Sequence, residues 1–232
     1  MLDTIKNALK KNKIAMNTAE KIGEKAQKRR LAKRVDVIKK HGDGIVVEIE
    51  DMLSDSGLTY FATCGTLLGL IREGHLLRND YDMDYGILIY QPSDWIQLEE
   101  TLNAKGYRKI RDFTLDGLVT EQTYRNKLGV EIDFFGHFII EEKFCFYSYD
   151  KIQDYEYPSE DLWTAYILTN GKYMGVKTIE TEIGKVTVPM NAEEYLTYNY
   201  NDNWRIPDPN FKANTGKGCK RLENRYGKIG IY

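Results

Sequence analysis

Hydrophobic positions fall into short groups of differing period, and the periods predict the elements. Residues 3–40 lack Pro and are rich in Ala, Lys, Leu and Ile, a composition that favours helix. Ile5, Ala8 and Leu9, then Ala15, Ala19, Ile22 and Ala26, form a loose stripe at helical spacing, weakened at Gly23. His41-Gly42-Asp43-Gly44 predicts a break, and Ile45, Val46, Ile49 and Leu53 mark one side of a short core helix after it. Thr59–Thr63 predicts a strand, Gly65 opens a helix over Thr66–Arg72, and Met83–Tyr90 predicts a buried strand. Pro92 suits the start of a helix that runs to about Lys105 and ends at Gly106.

Residues 117–149 change period. Leu118–Arg125, Gly129–Phe138 and Lys143–Tyr149 are rich in β-branched and aromatic residues and predict antiparallel strands, the first two separated by Asn126–Gly129. Gly184–Val188 predicts a short strand ending at Pro189. Asn191 caps a helix to about Tyr198, with Glu193 and Glu194 near its positive end. Residues 201–232 read as loop-rich. No internal repeat is seen. The class expected is α+β with a mixed sheet at its centre.

Charge adds a division. Residues 1–40 hold thirteen Lys/Arg against four acids, whereas the remainder holds twenty against thirty-one. A basic arm, residues 1–41, on an acidic body, residues 42–232, is the expected organisation. Such an arm either packs as a solvated helix or tethers the body to an anionic surface. Cys64, Cys145 and Cys219 are widely spaced and include no CxxC pair, which argues against a disulfide framework and a zinc site. No apolar run approaches the roughly 20 residues a membrane span needs, and the N-terminus lacks the apolar segment of a signal peptide. The expected setting is the cytoplasm, with peripheral contact at the inner face of the membrane.

The candidate chemistry lies in residues 64–88 and 130–135. Asp82-Met83-Asp84 opens an apolar strand, and alternation puts both carboxylates on one face, about 6–7 Å apart. Two such charges repel, and a hard divalent cation relieves them while leaving sites for phosphate oxygens. Asp133 sits in Val-Glu-Ile-Asp-Phe-Phe, either on a solvated face or beside the first pair if the two strands are neighbours. Gly65-Thr66, sixteen residues before Asp82 counted from Thr66, lies at a strand-to-helix turn; glycine allows close approach, and the helix N-terminus and the Thr hydroxyl offer donors to a phosphate. Read blandly, it is an ordinary turn. His75 and His137 pair with no nucleophile and read as structural.

The order G-[ST], D-x-D at a strand end, then a later strand acid resembles the nucleotidyltransferase (polymerase-β-like) superfamily. The fuller string Gly65-Thr-Leu-Leu-Gly-x-x-Arg72-x-Gly74, followed by Asp80-x-Asp82-x-Asp84, resembles the LicD/fukutin-type phosphotransferases. So do Val186-Thr-Val-Pro189, Glu194-Tyr-Leu196 and Tyr200-Asn-Asp-Asn-Trp204-Arg-Ile-Pro207, and the likeness spans about residues 59–207. Asn79 and Tyr81 depart from the family run, as does Asn201.

The resemblance implies a nucleotidyltransferase-like mixed sheet with flanking helices. It implies transfer of a phospho-alcohol from a CDP-linked donor to a hydroxyl of a cell-surface glycan or glycolipid, with no specific nucleic acid as partner. Asp82, Asp84 and Asp133 would hold Mg²⁺ or Mn²⁺. Gly65, Thr66, Arg72, Asp80, Trp204 and Arg205 would line the donor site, although Arg72 equally suits a helix-end ion pair and Trp204 a core position. Transfer of a nucleotide from an NTP, a non-catalytic binding module and a DxD glycosyltransferase are the competing readings.

Overall fold

A computed structural model describes residues 2–153 and 155–232, and for residues 2–22 and 24 the backbone alone. The chain begins with a single helix, α1 (Leu2–Ser54), followed by β1 (Tyr60–Ala62), α2 (Cys64–Glu73), β2 (Asp82–Leu88) and α3 (Ser93–Asn103). Then come β3 (Arg108–Leu115), β4 (Leu118–Arg125), β5 (Glu131–Ile140), β6 (Lys143–Asp150), β7 (Leu162–Lys172), the β8 (Val176–Glu180) and β9 (Lys185–Pro189) hairpin, α4 (Ala192–Tyr200) and β10 (Cys219–Ile231).

The expected nucleotidyltransferase-like (polymerase-β-like) mixed sheet with flanking helices is not what these strands build. The order β5-β4-β3-β10-β7-β6, with β6 pairing back onto β5, closes six antiparallel strands into a barrel. β2 adds to β5 in parallel and β1 adds to β2, which makes β2–β5 the one parallel pairing among the described residues. Three barrel strands, β3, β7 and β10, were absent from the sequence expectation, and without them the ring cannot close. β10 lies in the stretch read as loop because its Lys, Arg, Asn and Gly content looks like loop composition. Its backbone nevertheless pairs on both edges, with β3 and with β7.

The break expected at residues 41–44 is also absent, since α1 runs straight through it. Gly42 is there for space. A Cβ at that position would sit 2.7 Å from the Leu76 side chain and 3.2 Å from that of Ile38, so glycine lets α1 press against the segment before β2. Of the expected arm stripe, Ala26 is exposed, and the positions before it lie outside the residues whose side chains are described. Ile45, Val46, Ile49 and Leu53 are buried as their spacing predicts, with Met83, Tyr85 and Ile87 of β2 and Ile132 and Phe134 of β5 in the same core. That core fixes strand parity: with these side chains turned into it, Asp82, Asp84 and Asp133 turn to the opposite face.

One acid lies inside this packing. Glu50 Oε2 on α1 accepts hydrogen bonds from Tyr60 Oη, Thr187 N and Thr187 Oγ1, each at 3.0 Å, while Oε1 has no partner among the described residues. Burial raises its pKa to about 7. The folded value lies above the unfolded one, so its stabilising contribution is fully present below about pH 4.5 and is lost as pH rises through about 7. Glu50→Gln should therefore be more stable than the wild type at pH 8, by about 2 kcal/mol, and the gain should vanish by pH 5. Urea melts at the two pH values check this; equal stability at pH 8 would refute it.

Candidate active site

Register brings the acids together. In the parallel β2–β5 pair, Asp82 lies beside Glu131 and Asp84 beside Asp133. The row through Asp84 and Asp133 continues to Thr123 on β4 and Arg111 on β3. The neighbouring row runs Asp82, Glu131, Arg125 and Arg108. Glu121, two residues before Thr123, faces the same way and is buried. One face of four adjacent strands thus carries five carboxylates, to which Asp80 adds a sixth from the loop before β2.

The strand-to-helix turn closes over the acids. The backbone N–H of Gly65 donates to Asp84 Oδ2 at 2.8 Å, and the backbone N–H of Asp84 donates to Thr66 Oγ1 at 2.9 Å. These reciprocal bonds fix the turn against the strand that carries the acids. Thr66 is 1% exposed and its Oγ1 accepts from the Asp84 N–H, so it staples the turn to β2 from a buried position instead of facing solvent where a phosphate would arrive. Cys64, beside it, adopts φ 43°, a left-handed conformation unusual for a side-chain-bearing residue and of the kind that clusters at functional sites. Behind the turn, Tyr195 of α4 places its hydroxyl 2.7 Å from both Thr63 Oγ1 and His137 Nε2. Burial pushes the His137 pKa down to about 3, so this histidine is a neutral brace, in keeping with its structural reading.

The acids differ in what supports them. Asp133 is held by Arg111 Nη2, at 3.1 and 3.2 Å from its two oxygens, and by the Thr123 hydroxyl. Burial raises its pKa, and Arg111 and Thr123 pull it back. Asp80, Asp82 and Asp84 accept together one hydrogen bond among the described residues, from Gly65. Burial lifts Asp80 to about 6. Burial, with Asp133 and Asp80 nearby, lifts Asp82 to about 8. Asp84 is driven well up by burial and then by Asp82 and Asp133. Glu121 rises to about 8 through burial and the Asp133 charge. Tyr81 stands at the rim, its phenol pushed up to about 12 by Asp82 and by burial.

The donor set suits a hard divalent cation: oxygen ligands, largely out of water, with more negative charge than the nearby guanidinium groups offset. Among the described residues no three His, Cys, Asp or Glu side chains already form a ready-made cage. Asp133 is engaged with Arg111, and the uncompensated donors are Asp82 and Asp84.

The remaining expected residues lie apart. Arg72 donates to the Trp204 carbonyl at 3.2 Å and to Glu73, the helix-end arrangement. Trp204 is buried with its Nε1 donating to Thr197, a core position. Arg205 stacks over the Trp204 ring and pairs with Glu193. These three join α2 to α4 and the segment beyond it, with Arg72 close enough to Asp80 to lower its pKa. Glu121, Thr123 and Arg111 were missed. Their alternation in β4 and β3 reads locally as a polar outer face, and only cross-strand register shows that it faces Asp133.

No curated protein matches this chain. Among solved structures, it resembles a lincomycin-bound lincosamide antibiotic adenylyltransferase, LnuA, at 10% identity and a TM-score of 0.41, over 67% of this chain and 85% of that one. The family model for the LicD/FKTN/FKRP nucleotidyltransferase domain matches residues 57–177, just over half of the chain and including both acid-bearing strands, which supports transferase activity in general: this chain belongs to the LicD/FKTN/FKRP family.

Proposed function

We propose that this chain transfers a phospho-alcohol, phosphocholine or a polyol phosphate, from a CDP-activated donor to a hydroxyl of a cell-surface glycan or its precursor. The observation that supports this most directly is the in-register pairing of Asp84 with Asp133, beside Asp82 and under the Gly65 turn. In the reaction the acceptor oxygen bonds to the phosphorus bearing the alcohol, the bond from that phosphorus to the CMP oxygen breaks, and the hydroxyl proton passes to a base. Asp82, Asp84 and Asp133 would hold Mg²⁺ or Mn²⁺, which supplies charge neutralisation for the diphosphate and the departing CMP.

The chain's own residues do the rest. Gly65 lets the Asp80 and Asp84 carboxylates close on the turn. The Gly65 N–H holds the Asp84 carboxylate, and the Asp84 N–H bond to Thr66 fixes the backbone beneath it. Arg111 and Thr123 orient Asp133, and either Asp133 or Asp84 would take the acceptor proton.

Among the described residues no helix is long and apolar enough to cross a membrane. Exposed Lys25, Lys28, Arg29, Arg30, Lys33, Lys39 and Lys40 on α1 suit contact with an anionic surface carrying a lipid-linked acceptor.

A donor panel of CDP-choline, CDP-ribitol, CDP-glycerol and the four NTPs, with Mg²⁺ and candidate acceptors, tests the proposal by mass spectrometry. CMP release with a phospho-alcohol on the acceptor is the expected result. Pyrophosphate release from an NTP, with no CDP compound consumed, would replace it with nucleotidyl transfer.

A further inference from the structure

Beside Asp82 the site is basic, and part of that charge comes from outside the family-matched segment. Glu131 is buried on β5 as the direct cross-strand partner of Asp82. Arg34, on α1, reaches both of its oxygens, through Nη1 at 2.8 Å and through Nη2. Arg125 Nη2 donates to Oε1 at 2.5 Å, and Arg111 Nη1 stands 4.0 Å from Oε2 while its Nη2 holds Asp133.

One guanidinium satisfies a buried carboxylate when it binds in fork geometry. Here three gather around the adjacent pair Glu131 and Asp133, more guanidinium groups than the pairing of those two carboxylates requires. Most of their donors are unused. A guanidinium has five N–H groups; among the described residues Arg34 uses two and Arg125 one. Arg111 Nε is buried and bonds to nothing. The side chains of Arg34 and Arg125 are 22% and 45% exposed, so their free donors face solvent. Arg34 also stands close enough to Asp82 to lower its pKa, which puts this cluster on the margin of the same site.

We propose that Arg34, Arg111 and Arg125, gathered around Glu131, form a diphosphate-binding wall of the site, to which α1 contributes Arg34. Planar guanidinium groups match phosphate oxygens in pairs, and Glu131 holds the three side chains together against their mutual repulsion before the ligand arrives. Asp82, the cross-strand partner of Glu131, then stands at the edge of this wall. The proposal deepens the reading of this site as one that handles phosphate, and it stands independently of which donor the enzyme uses.

Calorimetric titration of the full chain with inorganic pyrophosphate, with and without Mg²⁺, tests it. The wild type should bind, and Arg34→Gln and Arg125→Gln should each weaken the dissociation constant about tenfold. Arg34→Lys should recover part of the loss, and Arg225→Gln, which removes a surface pair with Asp116, should bind like the wild type. With a turned-over donor, Arg34→Gln should raise KM while changing kcat little. Absence of pyrophosphate binding by the wild type, or equal binding by Arg34→Gln, would overturn the proposal. Weakened binding in both Arg→Gln variants while every CDP donor stays inert would uphold the wall and remove the donor assignment.

Discussion

Asp82→Asn should reduce turnover at least about a thousandfold while leaving the metal-free protein as stable as the wild type or more so. The two effects have one cause. Asp82 accepts no hydrogen bond from a described residue, and its pKa is raised to about 8, by burial first and then by Asp133 and Asp80. Its surroundings disfavour its charge. A folded pKa above the unfolded one means a contribution present in full below about pH 3.8 and lost as pH rises through about 8. Asparagine keeps the shape and lacks the charge, so its advantage should be absent at pH 4 and grow to about 2 kcal/mol at pH 9, after allowance for solvent screening at a partly exposed group. Thermal melts in chelator across this range, set beside donor turnover at pH 7.5 with Mg²⁺, measure both. Asp133→Asn is a poorer probe, since it also strips Arg111 of its partner. Normal turnover by Asp82→Asn would end the site assignment. A stability loss at pH 9 would show that Asp82 is a structural acid instead.

The acids were legible because the information needed was local. Strand alternation puts Asp82 and Asp84 on one face, and a glycine at a strand-to-helix turn marks the close approach over them. Asp133 was legible as an acid among apolar neighbours, although its meeting with Asp84 depended on two strands pairing in parallel and in register. The barrel depends on pairings between distant segments, β10 with β3 and β7 above all, and the local pattern of β10 carries too few apolar positions to announce a strand. β3 was within reach. Asp116 and Gly117, at φ 52° and 83°, make the two-residue turn that Asp-Gly favours between antiparallel strands, and the alternating pair Phe113 and Leu115 precedes it.

Within the site, Thr66, Arg72 and Trp204 illustrate a different limit. Each was placed near the right elements, but whether a polar group faces a ligand or another part of the chain depends on partners far away in sequence. The Thr66 hydroxyl oxygen accepts from the Asp84 N–H, the Trp204 carbonyl accepts from Arg72, and the Thr197 hydroxyl accepts from the Trp204 ring nitrogen. Arg34 shows the reverse case. Among thirteen basic residues in the first forty it carries no mark of its own, and its selection comes entirely from the position of Glu131.

Gly65→Ala should lower kcat/KM about a hundredfold with little change in stability. A Cβ at Gly65 would stand 2.9 Å from Asp80 Oδ2 and 3.1 Å from Asp84 Oδ2. The atoms it meets are the ends of side chains, so the fold can yield where the site cannot. Both carboxylates would turn aside by several tenths of an ångström, and the Gly65 N–H bond to Asp84, now 2.8 Å, would lose its alignment. Meanwhile alanine is the better helix former by about 1 kcal/mol, and position 65 is the second residue of α2, which offsets the crowding. A melting temperature within about 3 °C of the wild type, roughly 1 kcal/mol for a chain of this size, together with the activity loss, is the expected pair of results. Asp84 is one of the acids proposed to hold the metal that grips the donor, so the loss should fall on KM for the donor as well as on kcat. Full activity in Gly65→Ala would mean that neither the acids nor a phosphate approaches this turn during the reaction, and the close contact seen at Gly65 would then be packing alone.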